Sequence, residues 1–270
     1  MNGHADIYKI FAIKYATTTM KRSTFFVPPL LPEGPLAFDY YVWLIVNEDR
    51  AILVDTGFQE EAGARRGRSR LRCPIESLSL CKISADQIND VIMTHLHYDH
   101  AGNMHLLKNA RFHIQHSEIE FATSAMMSIP HPSLGGSMEV RDIRLLIDLI
   151  FEGRVHVLHG FTEFAPGIEL HHIGGHTPGQ QIVRVRTQRG WVVLANDACH
   201  FEENILARRP ISVFVDLRAM YTGFDTVLQL ADADLTRVIP GHDPIVMHRF
   251  PASEQSLRGI IARLDLPPLA

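Results

Sequence analysis

Between His95 and His100 the chain places three imidazoles and one carboxylate, in the run Thr94-His95-Leu96-His97-Tyr98-Asp99-His100. Such groups are rarely packed so densely unless they hold a metal. Histidine is the commonest metal ligand, through its neutral ring nitrogen, and carboxylates complete sites for divalent ions. Zinc is the first expectation. The preceding run, Asp90-Val91-Ile92-Met93-Thr94, reads as a buried strand. The ligands then sit on a loop at the strand's C-terminal end, where open α/β sheets place their sites, so the fold has to supply a rigid sheet behind that loop.

Ligand-type groups recur downstream, each in a turn-like setting after a strand-like run. His176 lies in Gly174-Gly175-His176-Thr177-Pro178-Gly179 after the run Ile168 to Ile173, and Asp197 closes the run Trp191 to Asn196. His242 sits in Pro240-Gly241-His242-Asp243 after Arg237-Val238-Ile239. This recurrence weighs against reading the first cluster as ordinary polar loop residues. Together with His95, His97, Asp99 and His100 it makes seven candidate ligands, more than one tetrahedral ion can use. Two metals are the natural count.

The series His-x-His-x-Asp-His, a distant His, an Asp and a final His resembles the metallo-β-lactamase superfamily of hydrolases, from Val46 to Asp243. The resemblance implies a first ion held by His95, His97 and His176, a second held by Asp99, His100 and His242, and Asp197 bridging them. It also implies that Asp55, in Leu53-Val54-Asp55-Thr56-Gly57, orients the ligand loop from behind. Read alone, Asp55 is a turn carboxylate after Ile52-Leu53-Val54, and the two roles are compatible.

Within that superfamily, the β-lactamase branch with two zinc ions has Cys where Asp197 stands, and the redox diiron branch has Glu where His97 stands. Both readings lose weight. The subgroup of N-acyl homoserine lactone lactonases is nearer. Its His-Thr-Pro-Gly-His-Gln and Asp-Ala-x-Tyr-x-x-Glu-Asn segments are similar to His176-Thr177-Pro178-Gly179-Gln180-Gln181 and to the run Asp197 to Asn204. One position departs. Where the lactonases use an aromatic hydroxyl to contact substrate, this chain has His200, whose imidazole can donate a hydrogen bond or a proton from the same place. A structural role for His200 is the alternative.

What the resemblance implies is a hydrolase with two divalent ions that opens a lactone ring, of the quorum-quenching type acting on N-acyl homoserine lactones. The nucleophile would be a metal-bridging hydroxide, with Asp99 handling the water proton and His200 supporting the oxyanion. A glyoxalase II-like thioesterase or a hydrolase of another cyclic ester is the runner-up, and a non-enzymatic binding member of the fold comes last. Zinc leads as the metal, although His/Asp sites also accept Mn, Fe or Co.

The 270 residues, 46% hydrophobic, can bury a sizeable core as one domain spanning 1–270. A formal charge of −4 argues against nucleic acid as a partner, despite the local cluster Arg65-Arg66-Gly67-Arg68-Ser69-Arg70-Leu71-Arg72. That cluster reads as a solvated face, with an anion-binding patch as the lesser reading. The start Met1-Asn2-Gly3-His4-Ala5-Asp6 lacks a secretory pattern, and no apolar run approaches the ~20 residues of a membrane span. With Cys73, Cys81 and Cys199 in no metal-type spacing, a cytoplasmic protein is expected, monomeric or homodimeric, with a small lactone as its partner.

Strands are expected at Tyr8 to Tyr15, Tyr40 to Val46 and Ala51 to Val54, an antiparallel meander. Capping boxes at Ser84-Ala85-Asp86-Gln87 and Ser117-Glu118-Ile119-Glu120 are expected to open helices, the second after a strand Arg111 to Gln115. Strands near 168–173, 181–187 and 191–195, a helix near 218–231 and a strand ending at His242 repeat the plan. Two such halves fit an α/β protein of the αββα sandwich type, two mixed β-sheets flanked by helices. Two stretches stand outside this scaffold: the proline-interrupted run Phe25 to Pro32, and an insertion from Ser124 to Gly153 with Met126, Met127, Met138 and an apolar helix Val140 to Ile150. Either could line a pocket, or serve as core or dimer contact.

Overall fold

In Tyr41-Val42-Trp43-Leu44-Ile45 the side chains alternate between two faces of one strand, and both sets are apolar, so the strand needs cover on each side. The computed structural model, which describes residues 6–27 and 34–269, provides it. β1 (Lys9–Lys21), β2 (Pro35–Val46), β3 (Ala51–Val54), β4 (Ser69–Arg70), β5 (Asp90–Ile92), β6 (Arg111–Gln115) and β7 (Val155–Leu158) build the first sheet. β8 (Thr162–Ala165), β9 (Ile168–His172), β10 (Gln181–Thr187), β11 (Gly190–Asn196) and β12 (Val238–Pro240) build the second, and β13 (Ile261–Arg263) returns to the edge of β1.

Both sheets are mixed. The first runs β13-β1-β2-β3-β5-β6-β7, antiparallel as far as β3 and parallel from β3 to β7, with β4 also on β1. The second runs β12-β11-β10-β9-β8, parallel only between β11 and β12. Tyr41, Trp43 and Ile45 meet Leu170, Val183, Val185, Val192 and Leu194 in the layer between the sheets. Val42, Leu44, Leu53, Val91 and Phe112 belong to a second cluster that takes in helical side chains. Burying one such side chain contributes roughly 1.5–3 kcal/mol, so the two layers dominate the stability of the scaffold.

The helices are α1 (Arg22–Phe25), α2 (Glu60–Arg65), α3 (Tyr98–Ala101), α4 (His116–Ala122), α5 (Val140–Phe151), α6 (Glu202–Leu206), α7 (Leu217–Leu230) and α8 (Ile245–Arg249). Leu146 and Leu149 of α5, and Phe224 and Val227 of α7, join the outer cluster, which completes the αββα order expected from sequence. Among the described residues no helix is long and apolar enough to cross a membrane.

Several boundaries differ from expectation, each for a physical reason. β1 and β2 are longer, because their mutual pairing continues past an irregularity at Lys14/Ala16 as far as Lys21 and Pro35. β5 stops at Ile92. The Thr94 N–H leaves the ladder to donate to the Asp55 carboxylate at 2.8 Å, and from there the chain becomes the ligand loop. The box at Ser84 and Gln87 is present but opens only a three-residue 3₁₀ turn, Ala85–Gln87. The second box fails: α4 starts at His116, so Ser117 lies inside the helix with its Oγ donating to Pro178 O at 3.3 Å, and Glu118 beside it is fully buried. β12 ends two residues before His242. Of the proline-interrupted stretch, Phe25 and Phe26 are buried, while residues 28–33 lie outside the described ones.

Candidate metal centre

All seven expected ligands gather at one end of the two sheets. His95, His97, Asp99 and His100 come from the loop after β5 and the first turn of α3; His176, Asp197 and His242 follow β9, β11 and β12 of the second sheet. Each is at most 8% exposed. With His200 as an eighth residue, their candidate ligand atoms form overlapping triads, the atoms within each triad lying within 4.8 Å of one another: His95-His97-His176, His95-His100-Asp197, Asp99-His100-His242 and His176-Asp197-His200.

Asp197 divides the cluster. Its Oδ1 is 3.0 Å from His242 Nε2 and 3.4 Å from His100 Nε2, while its Oδ2 is 3.2 Å from His176 Nε2 and 3.7 Å from His95 Nε2. Asp99 Oδ2 lies on the Oδ1 side, 3.8 Å from His100 Nε2 and 3.9 Å from His242 Nε2. One carboxylate thus presents one oxygen to each of two groups of imidazoles.

The outer nitrogens of the rings fix the inner ones. His176 Nδ1 is 2.7 Å from Val213 O and His242 Nδ1 is 2.9 Å from Asp39 O. A backbone carbonyl only accepts, so each Nδ1 carries the proton and each Nε2 keeps a lone pair. His100 Nδ1 meets Asp55 Oδ2 at 2.7 Å, and His95 Nδ1 meets Thr94 Oγ1 at 3.2 Å, a hydroxyl that itself donates to Asp55 Oδ2 at 2.8 Å. Nε2 of His95, His97 and His100 is buried with no hydrogen-bond partner. An unsatisfied buried polar atom costs about 1–3 kcal/mol, so three together call for an occupant, and inward lone pairs around carboxylates fit a cation.

For His95 and His97 the electrostatics agree with that donor set. Burial, reinforced by neighbouring imidazoles, holds His95 and His97 well below the usual histidine range, which keeps them in the neutral form a metal requires. Burial also pulls on His100, but Asp197, Asp55 and Asp99 outweigh it and raise this ring. Burial would lift Asp197, yet His200, His100 and His242 hold it well below the carboxylate range.

Asp55 is held in left-handed backbone at φ 61, directly after β3, and binds Thr94 N, Thr94 Oγ1, His100 Nδ1 and Asn196 Nδ2 at 2.7–3.0 Å. Asn196, at the end of β11, is also left-handed at φ 46. Asp and Asn tolerate this region better than most residues, so the two strand ends can turn sharply toward each other. His200 is 4% exposed; its Nε2 is 3.0 Å from Asp197 Oδ2 and its Nδ1 is buried without a partner. Burial lowers its pKa to about 4 against the pull of Asp197, so the ring is neutral at pH 7.

One organising residue escaped the sequence reading. Glu118, taken there as part of a capping box, accepts from Leu96 N at 2.9 Å and from Gly179 N at 3.0 Å. It thereby ties the loop of His95 and His97 to the loop that follows His176. A Cβ at position 179 would stand 2.3 Å from the Glu118 backbone nitrogen, which explains the glycine there. No local pattern could have revealed a carboxylate serving backbone amides 22 and 61 residues away.

The chain matches the family model described as the Metallo-beta-lactamase superfamily over residues 37–255. It is similar to an N-acyl homoserine lactonase from Bacillus sp, 27% identical over 236 residues that cover 80% of this chain and 83% of that protein. It is 30% identical over 247 residues to the N-acyl homoserine lactonase AiiB of Agrobacterium fabrum, covering 82% and 86% of the two chains. In fold it is similar to an N-acyl homoserine lactone hydrolase solved with the product N-hexanoyl-L-homoserine at its catalytic metal center. That likeness has a TM-score of 0.73 at 23% identity and covers 88% of this chain and 94% of that one.

Proposed function

Because the chain belongs to the metallo-β-lactamase superfamily, on its lactonase branch, we propose that it is a metal-dependent hydrolase that opens the lactone ring of N-acyl homoserine lactones. The observation that carries this reading is the ring anchoring: four imidazoles tied at Nδ1 aim Nε2 at the two oxygens of Asp197. In this assignment His95, His97 and His176 hold one divalent ion, Asp99, His100 and His242 hold the other, and Asp197 bridges. Zinc suits this donor set of imidazole and carboxylate. A cytoplasmic setting is proposed on the three unpaired cysteines.

When bound, the ions supply Lewis acidity to a carbonyl oxygen and make water a nucleophile near neutral pH. The chain's own groups do the rest. Asp99 accepts the proton of the attacking water on its carboxylate. Neutral His200, whose Nε2 lies 3.0 Å from Asp197 Oδ2, would turn its one N–H from that carboxylate to the oxygen on which negative charge builds as the ring carbonyl becomes tetrahedral. Asp55 keeps the His100 ring and the Thr94 turn in place, and Glu118 keeps the two ligand loops in register. The products are the ring-opened hydroxy acid and no by-product.

The test is elemental analysis together with a hydrolysis panel of lactones, thioesters and β-lactams read out by acid release. The wild type should carry two ions per chain and open N-acyl homoserine lactones. Asp197→Asn and His97→Ala should fall below two ions and lose turnover, since each removes a charge or lone pair that the paired site requires. Two tightly held ions with wild-type turnover in His97→Ala would overturn the assignment.

A further inference from the structure

The arginine cluster is the sequence feature that the metal centre leaves unexplained. Most of it is committed. Arg65 and Arg66 pair with Glu139 at 2.8 and 2.5 Å, and the side chains of Arg70 and Arg72 donate to the backbone carbonyls of Arg72 and Lys14. Arg68 differs. Among the described residues its side chain makes one hydrogen bond, from Nε to the Tyr98 phenol oxygen at 3.3 Å, and no ion pair. Both terminal amino groups of its guanidinium are left to donate elsewhere.

The backbone directs this side chain. α2 ends with Gly67 in left-handed conformation at φ +68, Gly67 N–H donating to Ala64 O at 3.0 Å and Arg68 N–H to Gly63 O at 2.9 Å. This glycine cap stops the helix and turns the chain back. Arg68 thereby reaches Tyr98, which sits between the expected ligands His97 and Asp99 and is held by two contacts to its ring. The Phe58 ring stacks with it at 5.8 Å, and the Arg66 guanidinium lies over the ring at 4.2 Å. Asp99 is near enough for its charge to act on both Arg68 and Tyr98, and Tyr40, the next phenol, packs 5.2 Å from the His242 ring. Arg68 is partly exposed, so it stands at the rim of the site on the side of Asp99 and His242.

We propose that Arg68 is a substrate-binding residue whose free guanidinium N–H groups take the amide carbonyl oxygen of an N-acyl homoserine lactone. Guanidinium has donors only and stays charged, so where substrate displaces its water it pairs with an acceptor. The ester oxygens of the substrate are required at the metal centre. The amide carbonyl, on the substituent next to the ring carbonyl, is the remaining acceptor within reach of the rim. This inference rests on the lactonase reading and adds to it a source of selectivity for the acylamino group.

A substitution-by-substrate comparison tests it, with N-hexanoyl homoserine lactone against an alkyl-substituted γ-lactone that carries no amide. Arg68→Ala should lower kcat/KM for the amide-bearing lactone about 10- to 100-fold, mainly through KM, as loss of one hydrogen bond from a charged group does. The amide-free lactone should change by less than about 3-fold, and Arg68→Lys should fall between, since it keeps the charge without the fork. Bound metal and melting temperature should stay at wild-type values. Equal losses on both lactones, or none on either, would overturn the inference and leave the lactonase reading intact. A wild type that opens neither lactone would overturn both.

Discussion

At the scale of single residues, four histidines of the site, His95, His100, His176 and His242, divide their work between two nitrogens, Nδ1 anchored to an oxygen and Nε2 turned toward Asp197. The candidate ligands could be picked out in the sequence, because imidazole and carboxylate chemistry announces itself by residue type and spacing. The anchors could not. Val213 O, Asp39 O and Thr94 Oγ1 are ordinary groups that gain meaning only through the fold. His200 lies between these classes, a histidine held beside Asp197 yet outside the seven-ligand motif. If it serves as a donor to substrate, His200→Ala should retain two ions and lose about 10–10³-fold in kcat, the range for one oxyanion donor. His200→Tyr should recover part of the loss. Steady-state kinetics paired with metal analysis decides this, and a loss of bound metal in the alanine variant would move His200 among the ligands.

At the scale of elements, the strands with strongly apolar cores and the long amphipathic helices α5 and α7 could be read directly. The short edge strands could not. β7 exposes His156 and Val157, and β13 has only three residues, so their place is set by pairing with β6 and β1 rather than by their own pattern. α5 carries a testable strain in its first turn. Asp142 is 2% exposed and burial pushes its pKa up to about 7, with Glu139 adding to the rise and Arg141 opposing it. A raised carboxyl pKa means that the folded chain binds the proton more tightly than the unfolded chain. The stability is then fully present below the unfolded value near 4 and is lost as pH climbs toward 7. Asp142→Asn removes this dependence. The variant should gain on the order of 2 kcal/mol on the wild type between pH 5 and pH 8, measured by urea unfolding at each pH. A difference that does not vary with pH would show that Asp142 is satisfied as an anion.

At the scale of the whole molecule, the site joins the two sheets. The loop after β5 supplies four of the expected ligands and the second sheet supplies three, with Glu118 and the Asp55–Asn196 contact as further ties across the same end. Ions held there bind the folded state far better than the unfolded one. At a free concentration 100 times the dissociation constant such binding adds about 2.7 kcal/mol. Chelation should therefore lower the melting temperature by roughly 5–10 °C for a chain of this size, and adding back the divalent ion should restore it. Calorimetry on stripped and reloaded protein measures this, and an unchanged melting temperature in fully stripped protein would deny the ions any part in joining the sheets. The distribution of ligands has one more consequence. On the proposed assignment, a cut in the exposed stretch around Met126 to Pro132 would leave each fragment with two ligands for each ion, Asp197 counting toward both. Neither fragment could then capture an ion firmly by itself, and the severed pieces would reassemble only when the metal is present, as a two-component sensor does.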